Sequence, residues 1–212
     1  MIKLIKEIKL LEKTPISKVV EQRLREFKAF KNKSNEDWFS ELCFCILTAN
    51  SKARTAIKIQ NEVGSEGFLD YSLCKLIETI KKNKHRFHNN KAKFITLARE
   101  HHDIKDKIVK IIEKHDEKEA REWIVKHIKG IGYKEASHFL RNVGYFNLAI
   151  LDRHILNLMK ENRIIKERPK TLNSKNYLKI EEKFITLARN LKMHPAELDM
   201  YMWYMKAGSV LK

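Results

Sequence analysis

The sequence predicts an all-α protein, on three observations. Only six glycines and three prolines punctuate 212 residues, long stretches place apolar residues at i, i+3, i+4 and i+7, and several of these stretches open on Ser, Asp or Pro or close on Gly. The chain is long enough to bury a core without disulfides or metal, as one large domain or as two small lobes.

Ser34 to Asp37 reads as a capping box that opens a helix through Leu42, Cys43, Ile46 and Leu47. A second helix carries Ala120, Trp123, Ile124, His127 and Ile128. A third begins near Lys134, with Ala136, Phe139, Leu140 and Val143 as its buried stripe, and Gly144 is placed to end it in the left-handed conformation. A fourth starts at Asp152 and buries Ile155, Leu158 and Met159. Pro195 suits the first turn of a last helix, whose stripe is Leu198, Tyr201, Met202 and Met205. The peptide Phe-Ile-Thr-Leu-Ala-Arg occurs at 94–99 and again at 184–189, but its wider surroundings differ, so it predicts two similar amphipathic helices rather than a duplication. The charged stretch from Lys160 to Lys175, with Pro169, reads as a linker to the C-terminal helices. The expected organisation is a single unit over 1–212, with a central lobe spanning about 35–160 and the remaining N- and C-terminal helices forming the second lobe.

Lys and Arg total 44 against 27 Asp and Glu, a net charge of +17. That balance favours a polyanionic partner, the alternative being a solvated Lys-rich surface. The longest apolar run, Leu42 to Ala49, is far short of the roughly 20 residues of a membrane span, and the N-terminus has no signal-peptide pattern. A soluble, cytoplasmic monomer with no membrane partner is expected. Cys43, Cys45 and Cys74 are odd in number and lack CxxC spacing, which argues against a disulfide framework or a zinc site, and three thiolates are too few for an iron–sulfur cluster. No metal or cofactor is expected.

The chemistry concentrates where two of the six glycines, Gly130 and Gly132, fall two residues apart. Ile128-Lys129-Gly130-Ile131-Gly132-Tyr133-Lys134 lies between two amphipathic helices, and Gly144 ends the second. Gly130 and Gly132 are expected to adopt positive φ and expose N–H groups at the start of the next helix, where the dipole favours an anion. An ordinary αα-turn is the plainer reading; Lys129, Lys134 and Arg141, and the carboxylate that follows, favour a phosphate clamp. Lys134 falls in the first turn of its helix, where the dipole and nearby cations disfavour an ammonium ion, and a neutral amine is a nucleophile. Asp152 opens the next helix, as a cap, as a charge stabiliser, or as both.

The hairpin Gly-Ile-Gly-Tyr-Lys followed by Asp152 resembles the helix-hairpin-helix DNA glycosylases, and the run from Lys129 to His154 is similar to the archaeal-type 8-oxoguanine DNA glycosylase/AP lyase family. The resemblance extends from Trp38 through Lys212. It implies two helical lobes around a DNA-binding cleft, and duplex DNA containing oxidised guanine as the partner. It also implies attack by Lys134 on the sugar C1′, stabilisation of the developing positive sugar by Asp152, and β-elimination from the resulting Schiff base. Lys129, Gly130, Gly132 and Tyr133 would contact the DNA backbone. The Gly-Pro that precedes the aspartate in many superfamily members is Ile150-Leu151 here, which alters the loop but leaves both functional side chains in place.

Asp199 and Trp203, four residues apart, share a face outside the expected core stripe of the last helix. Trp203 packs on a neighbouring helix or, as the resemblance implies, stacks on an extruded purine, with Asp199 in the pocket and the terminal Lys212 helping to recognise the oxidised base. In Leu47-Thr48-Ala49-Asn50-Ser51-Lys52-Ala53-Arg54, Asn50 suits a gap filler and Arg54 a base-edge donor, or else they are a helix cap and a surface cation. His85-Arg86-Phe87-His88 reads as an intercalating wedge or as a solvated basic turn. Two rivals remain at this stage: a non-catalytic DNA-binding module built on the same hairpin, and a glycosylase for another lesion.

Overall fold

The computed structural model describes residues 2–210 and 212. Among them the regular structure is entirely helical, apart from a short 3-10 turn at Arg99–His101. The chain divides into two compact units, Lys31–Val143 and the stretch up to Phe30 together with Gly144–Lys212.

The first unit is built around α3 (Asn35–Thr48), whose residues from Trp38 to Thr48 are all buried. A helix that is apolar on every side belongs at the centre, and α4 (Ala53–Asp70), α6 (His88–Ala98), α7 (Ile104–Lys114) and α9 (Tyr133–Asn142) all pack on it. Ser34 caps α3 by accepting from the Asp37 amide at 3.2 Å. Two further helices, α5 (Leu73–Lys82) and α8 (Glu117–His127), complete the layer through α6 and α9. Cys43 and Cys45 are buried free thiols in α3, and burial pushes the Cys43 thiol up.

The expected stripe on α8 is only partly present. Ala120, Arg121 and Ile124 are buried, whereas Trp123 is half-buried and stacks on the exposed His127 with ring centroids 4.6 Å apart. Arg141 is buried in α9 and donates to Asn142, which in turn donates to Glu41 on α3 at 2.6 Å. Its guanidinium therefore serves the core, not the phosphate clamp that the sequence suggests.

The second unit comprises α1 (Ile2–Leu11), α2 (Ile16–Phe30), α10 (Arg153–Glu161), α11 (Ser174–Leu191) and α12 (Pro195–Ala207). Here α12 is central, packed on by α1, α2, α10 and α11. This surrounds its first two turns, so Asp199 and Met200 are buried along with Leu198, Tyr201 and Met202, while Met205 is only half-buried. The central lobe accordingly ends at Val143, not near residue 160, because α10 packs on α12. The irregular, Lys-rich segment after α10 joins two helices of one unit and is not a linker between lobes. It is pinned by Ile165, which is buried. The repeated hexapeptide buries Ile95 and Ala98 in α6 but Phe184, Leu187 and Ala188 in α11, so identical residues present different faces.

Candidate active site

The hairpin closes through local chemistry. Buried Ile128 and Ile131 anchor it, while Lys129 and Gly132 are exposed. Gly130 has φ +86°, and a Cβ there would lie 2.3 Å from Phe94 Cδ2 on α6. Gly132 differs from expectation: with φ −106° and ψ −173° it is extended, serves as the N-cap of α9, and has room for a Cβ. Gly130→Ala is therefore expected to cost about 2–4 kcal/mol, combining left-handed strain with overpacking. Gly132→Ala should cost less than about 1 kcal/mol, since alanine only caps less well than glycine. Urea unfolding of the two variants checks this, and equal losses would show that neither the left-handed backbone nor Phe94 opposes a Cβ at position 130.

Gly132, the N-cap of α9, has no side chain to cap the helix, whose first turn opens beside Lys129. Tyr133 is fixed from both sides: its hydroxyl donates to Glu122 Oε2 at 2.6 Å, and the buried Arg121 guanidinium carbon lies 5.2 Å from the ring centroid. Arg121 also donates to Ser137 Oγ at 3.2 Å, which joins α8 to α9 across the turn.

Lys134 is the second residue of α9, with its side chain 26% exposed, and its Nζ lies 2.9 Å from Glu135 Oε1. Neighbours in a helix do not ordinarily face each other. The sequence predicts cationic surroundings for Lys134; the structure adds this carboxylate. Nor does any sequence pattern reveal Lys91 on α6, a buried amine that donates to the Ile46 carbonyl at 2.6 Å. Burial brings the Lys91 ammonium down to about 8; Glu135 opposes that shift and Lys134 adds to it.

Lys91 belongs to a set of partners for the last carbonyls of α3. Thr48 Oγ1 donates to Cys45, Lys91 to Ile46, His85 Nε2 lies 2.9 Å from the Leu47 carbonyl, and the Ser51 amide donates to Thr48. The whole C-terminal turn is thus satisfied, with donors at the negative end of its dipole. His85 is consequently a buried structural group, and burial lowers it further from protonation, while Phe87 is half-buried just before α6. Asn50 follows α3 in the left-handed conformation at φ 60°, exposed, with Arg54 exposed on α4. Asn is among the residues that tolerate this conformation just past a helix end.

In the other unit Asp152 caps α10, its Oδ1 accepting from the Ile155 amide at 2.8 Å. Two residues on, His154 packs edge-on against Trp203 of α12 at 4.9 Å. No sequence spacing pairs these rings, which link the helix that Asp152 starts to the half-buried Trp203. Asp199 is buried one turn earlier. Lys212 is half-buried, and Leu211 beside it lies outside the described residues.

A family profile described as 8-oxoguanine DNA glycosylase, of the helix-hairpin-helix type, matches residues 20–193. The chain belongs to this 8-oxoguanine DNA glycosylase family. A relative from Methanocaldococcus jannaschii, an 8-oxoguanine DNA glycosylase/AP lyase, is 52% identical over 209 residues, covering 99% of each chain. The crystal structure of the 8-oxoguanine glycosylase/lyase from that organism, in complex with a 15mer DNA containing 8-oxoguanine, is similar with a TM-score of 0.94 at 50% identity, covering 99% of this chain and 100% of that one. That of the 8-oxoguanine DNA glycosylase of Thermotoga maritima gives 0.92 at 40% identity, with 99% of each chain covered. As in those glycosylases the fold is all-helical, and no helix among the described residues is long and apolar enough to cross a membrane.

Proposed function

We propose that this chain removes 8-oxoguanine from duplex DNA in base-excision repair and cleaves the abasic strand, as a monomeric bifunctional N-glycosylase and AP lyase acting in the cytoplasm. The observation that carries the reading is 52% identity to an 8-oxoguanine DNA glycosylase/AP lyase over 99% of both chains. The hairpin supports it, because an amine follows directly on a helix start whose N-cap, Gly132, is exposed and has no side chain, a place suited to a phosphate.

In this reading the neutral Lys134 amine bonds to C1′ as the glycosidic bond breaks and the base departs with the electron pair. Asp152 balances the positive sugar and relays the proton that the amine loses. The sugar ring then opens, the C1′–O4′ bond breaking as C1′=N forms and O4′ taking up the relayed proton; the imine acidifies C2′, and loss of that proton expels the 3′ phosphate. Lys129, Gly130, Gly132 and Tyr133 hold the backbone, Asn50 fills the gap left by the extruded base, and Arg54 reads the orphaned partner. Trp203 stacks on the base, with Asp199 and Lys212 at its oxidised edge.

Borohydride trapping on a panel of duplexes tests this proposal. A covalent adduct is expected with 8-oxoguanine opposite cytosine and with a preformed abasic site, but not with undamaged guanine or with uracil. An adduct on the abasic duplex alone would reduce the activity to a lyase, and equal trapping on uracil would displace 8-oxoguanine as the substrate.

A further inference from the structure

Strand cleavage by β-elimination needs a base at C2′, and the first turn of α9 holds a carboxylate beside the amine that would carry the sugar. Glu135 is the third residue of α9, its side chain 13% exposed, with Oε1 2.9 Å from Lys134 Nζ. Its Oε2 stands 3.6 Å from where a Gly132 Cβ would lie, so the carboxylate rests against the exposed N-cap of the hairpin. Consecutive helical residues point roughly 100° apart, so this contact forms only because both side chains turn to that corner. A carboxylate there carries a cost for a DNA enzyme, because it repels the phosphate that the hairpin is suited to hold. The other acids of the reading have partners of their own: Glu122 accepts from the Tyr133 hydroxyl at 2.6 Å, and Asp152 Oδ1 from the Ile155 amide at 2.8 Å.

We propose that Glu135 is a catalytic residue of the lyase step, the base that removes the C2′ proton. The inference rests on Lys134 being the nucleophile. Once C1′ is bonded to Nζ, C2′ is two bonds from that nitrogen, about 2.5 Å away. An oxygen in contact with Nζ therefore reaches a C2′ hydrogen by a small rotation of the Glu135 side chain. As the proton moves to the carboxylate, the C2′–H pair becomes a C1′=C2′ bond and the imine π pair withdraws to Nζ. The nitrogen pair then restores C1′=N, the C1′=C2′ pair moves to C2′=C3′, and the C3′–O bond breaks with its electrons leaving on the phosphate. Glu135, now a neutral acid, gives its proton to water and is a carboxylate again. Nothing is oxidised or reduced. Departure of the base requires none of these transfers, so removing the carboxylate separates the two reactions.

The test follows both reactions in single turnovers on a duplex with 8-oxoguanine opposite cytosine: hot alkali reveals every released base, and untreated samples reveal β-elimination alone. Glu135→Gln is expected to slow β-elimination by about a hundredfold or more and base release by less than about tenfold, so that the borohydride-trapped adduct persists. Filter binding should hold or tighten, since a negative charge near the phosphate is gone. Glu135→Asp keeps a base one methylene short, and should eliminate at least about tenfold faster than the Gln variant. Parallel slowing of both reactions would reduce Glu135 to a support for the Lys134 side chain. β-Elimination at the parent rate, or equal rates for the Asp and Gln variants, would put the base elsewhere; each of these results overturns the proposal. Lys134→Gln run alongside separates the two failures: if it is inactive while Glu135→Gln eliminates normally, only the role of Glu135 falls, whereas if it still cleaves, the nucleophile assignment falls and takes the base with it.

Discussion

Lys134→Gln is expected to abolish both the borohydride-trapped adduct and strand cleavage, a loss of at least about a thousandfold, while duplex binding falls by less than about tenfold. The amide retains length and polarity but has no lone pair free to form an imine. Little else should change. Lys134 is partly exposed, and its ion pair with Glu135 is of the kind that contributes at most about 1 kcal/mol. Glutamine suits a first helical turn. Trapping by sodium borohydride and filter binding on the same duplex read the two quantities separately. Undiminished trapping would move the nucleophile elsewhere. Lys129, exposed on the same hairpin, would be first, ahead of Lys91, whose amine is buried against a carbonyl.

The residues legible in the sequence are those whose role is local. The Ser34 and Asp152 caps, the first-turn Pro195 and the left-handed Gly144 each depend on backbone a few residues away, and each appears where the pattern placed it. What was misread depends on neighbours distant in sequence. Arg141 looked like a phosphate ligand, and only Asn142 and Glu41, the latter a hundred residues away, show it to be part of the core. Gly132 was assigned the geometry of Gly130, but a sequence does not distinguish a glycine that needs positive φ from one that caps a helix in extended form. Lys91 gave no signal, because an amine that donates to the end of a remote helix has no spacing rule. The lobe boundary failed for the same reason: α10 follows α9 in sequence yet packs on α12.

Asp152→Asn is expected to slow excision of 8-oxoguanine by about a hundredfold to ten-thousandfold while changing stability by less than about 1 kcal/mol. The separation arises because the residue has two tasks that a single substitution divides. As the cap of α10 it offers Oδ1 to the Ile155 amide at 2.8 Å, and an asparagine carbonyl accepts that bond equally well. As a carboxylate it supplies the negative charge that opposes a developing positive sugar and a site to carry a proton, and an amide supplies neither. Asp152→Ala removes both roles, so it should match the Asn variant in rate but lose about 1 kcal/mol more in urea unfolding. Single-turnover excision and denaturation on the same three proteins distinguish the tasks. Near-normal excision by the Asn variant would leave Asp152 as a helix cap alone. A rate loss confined to the Ala variant would assign the effect to a displaced α10, whose His154 packs on Trp203, and not to the missing charge.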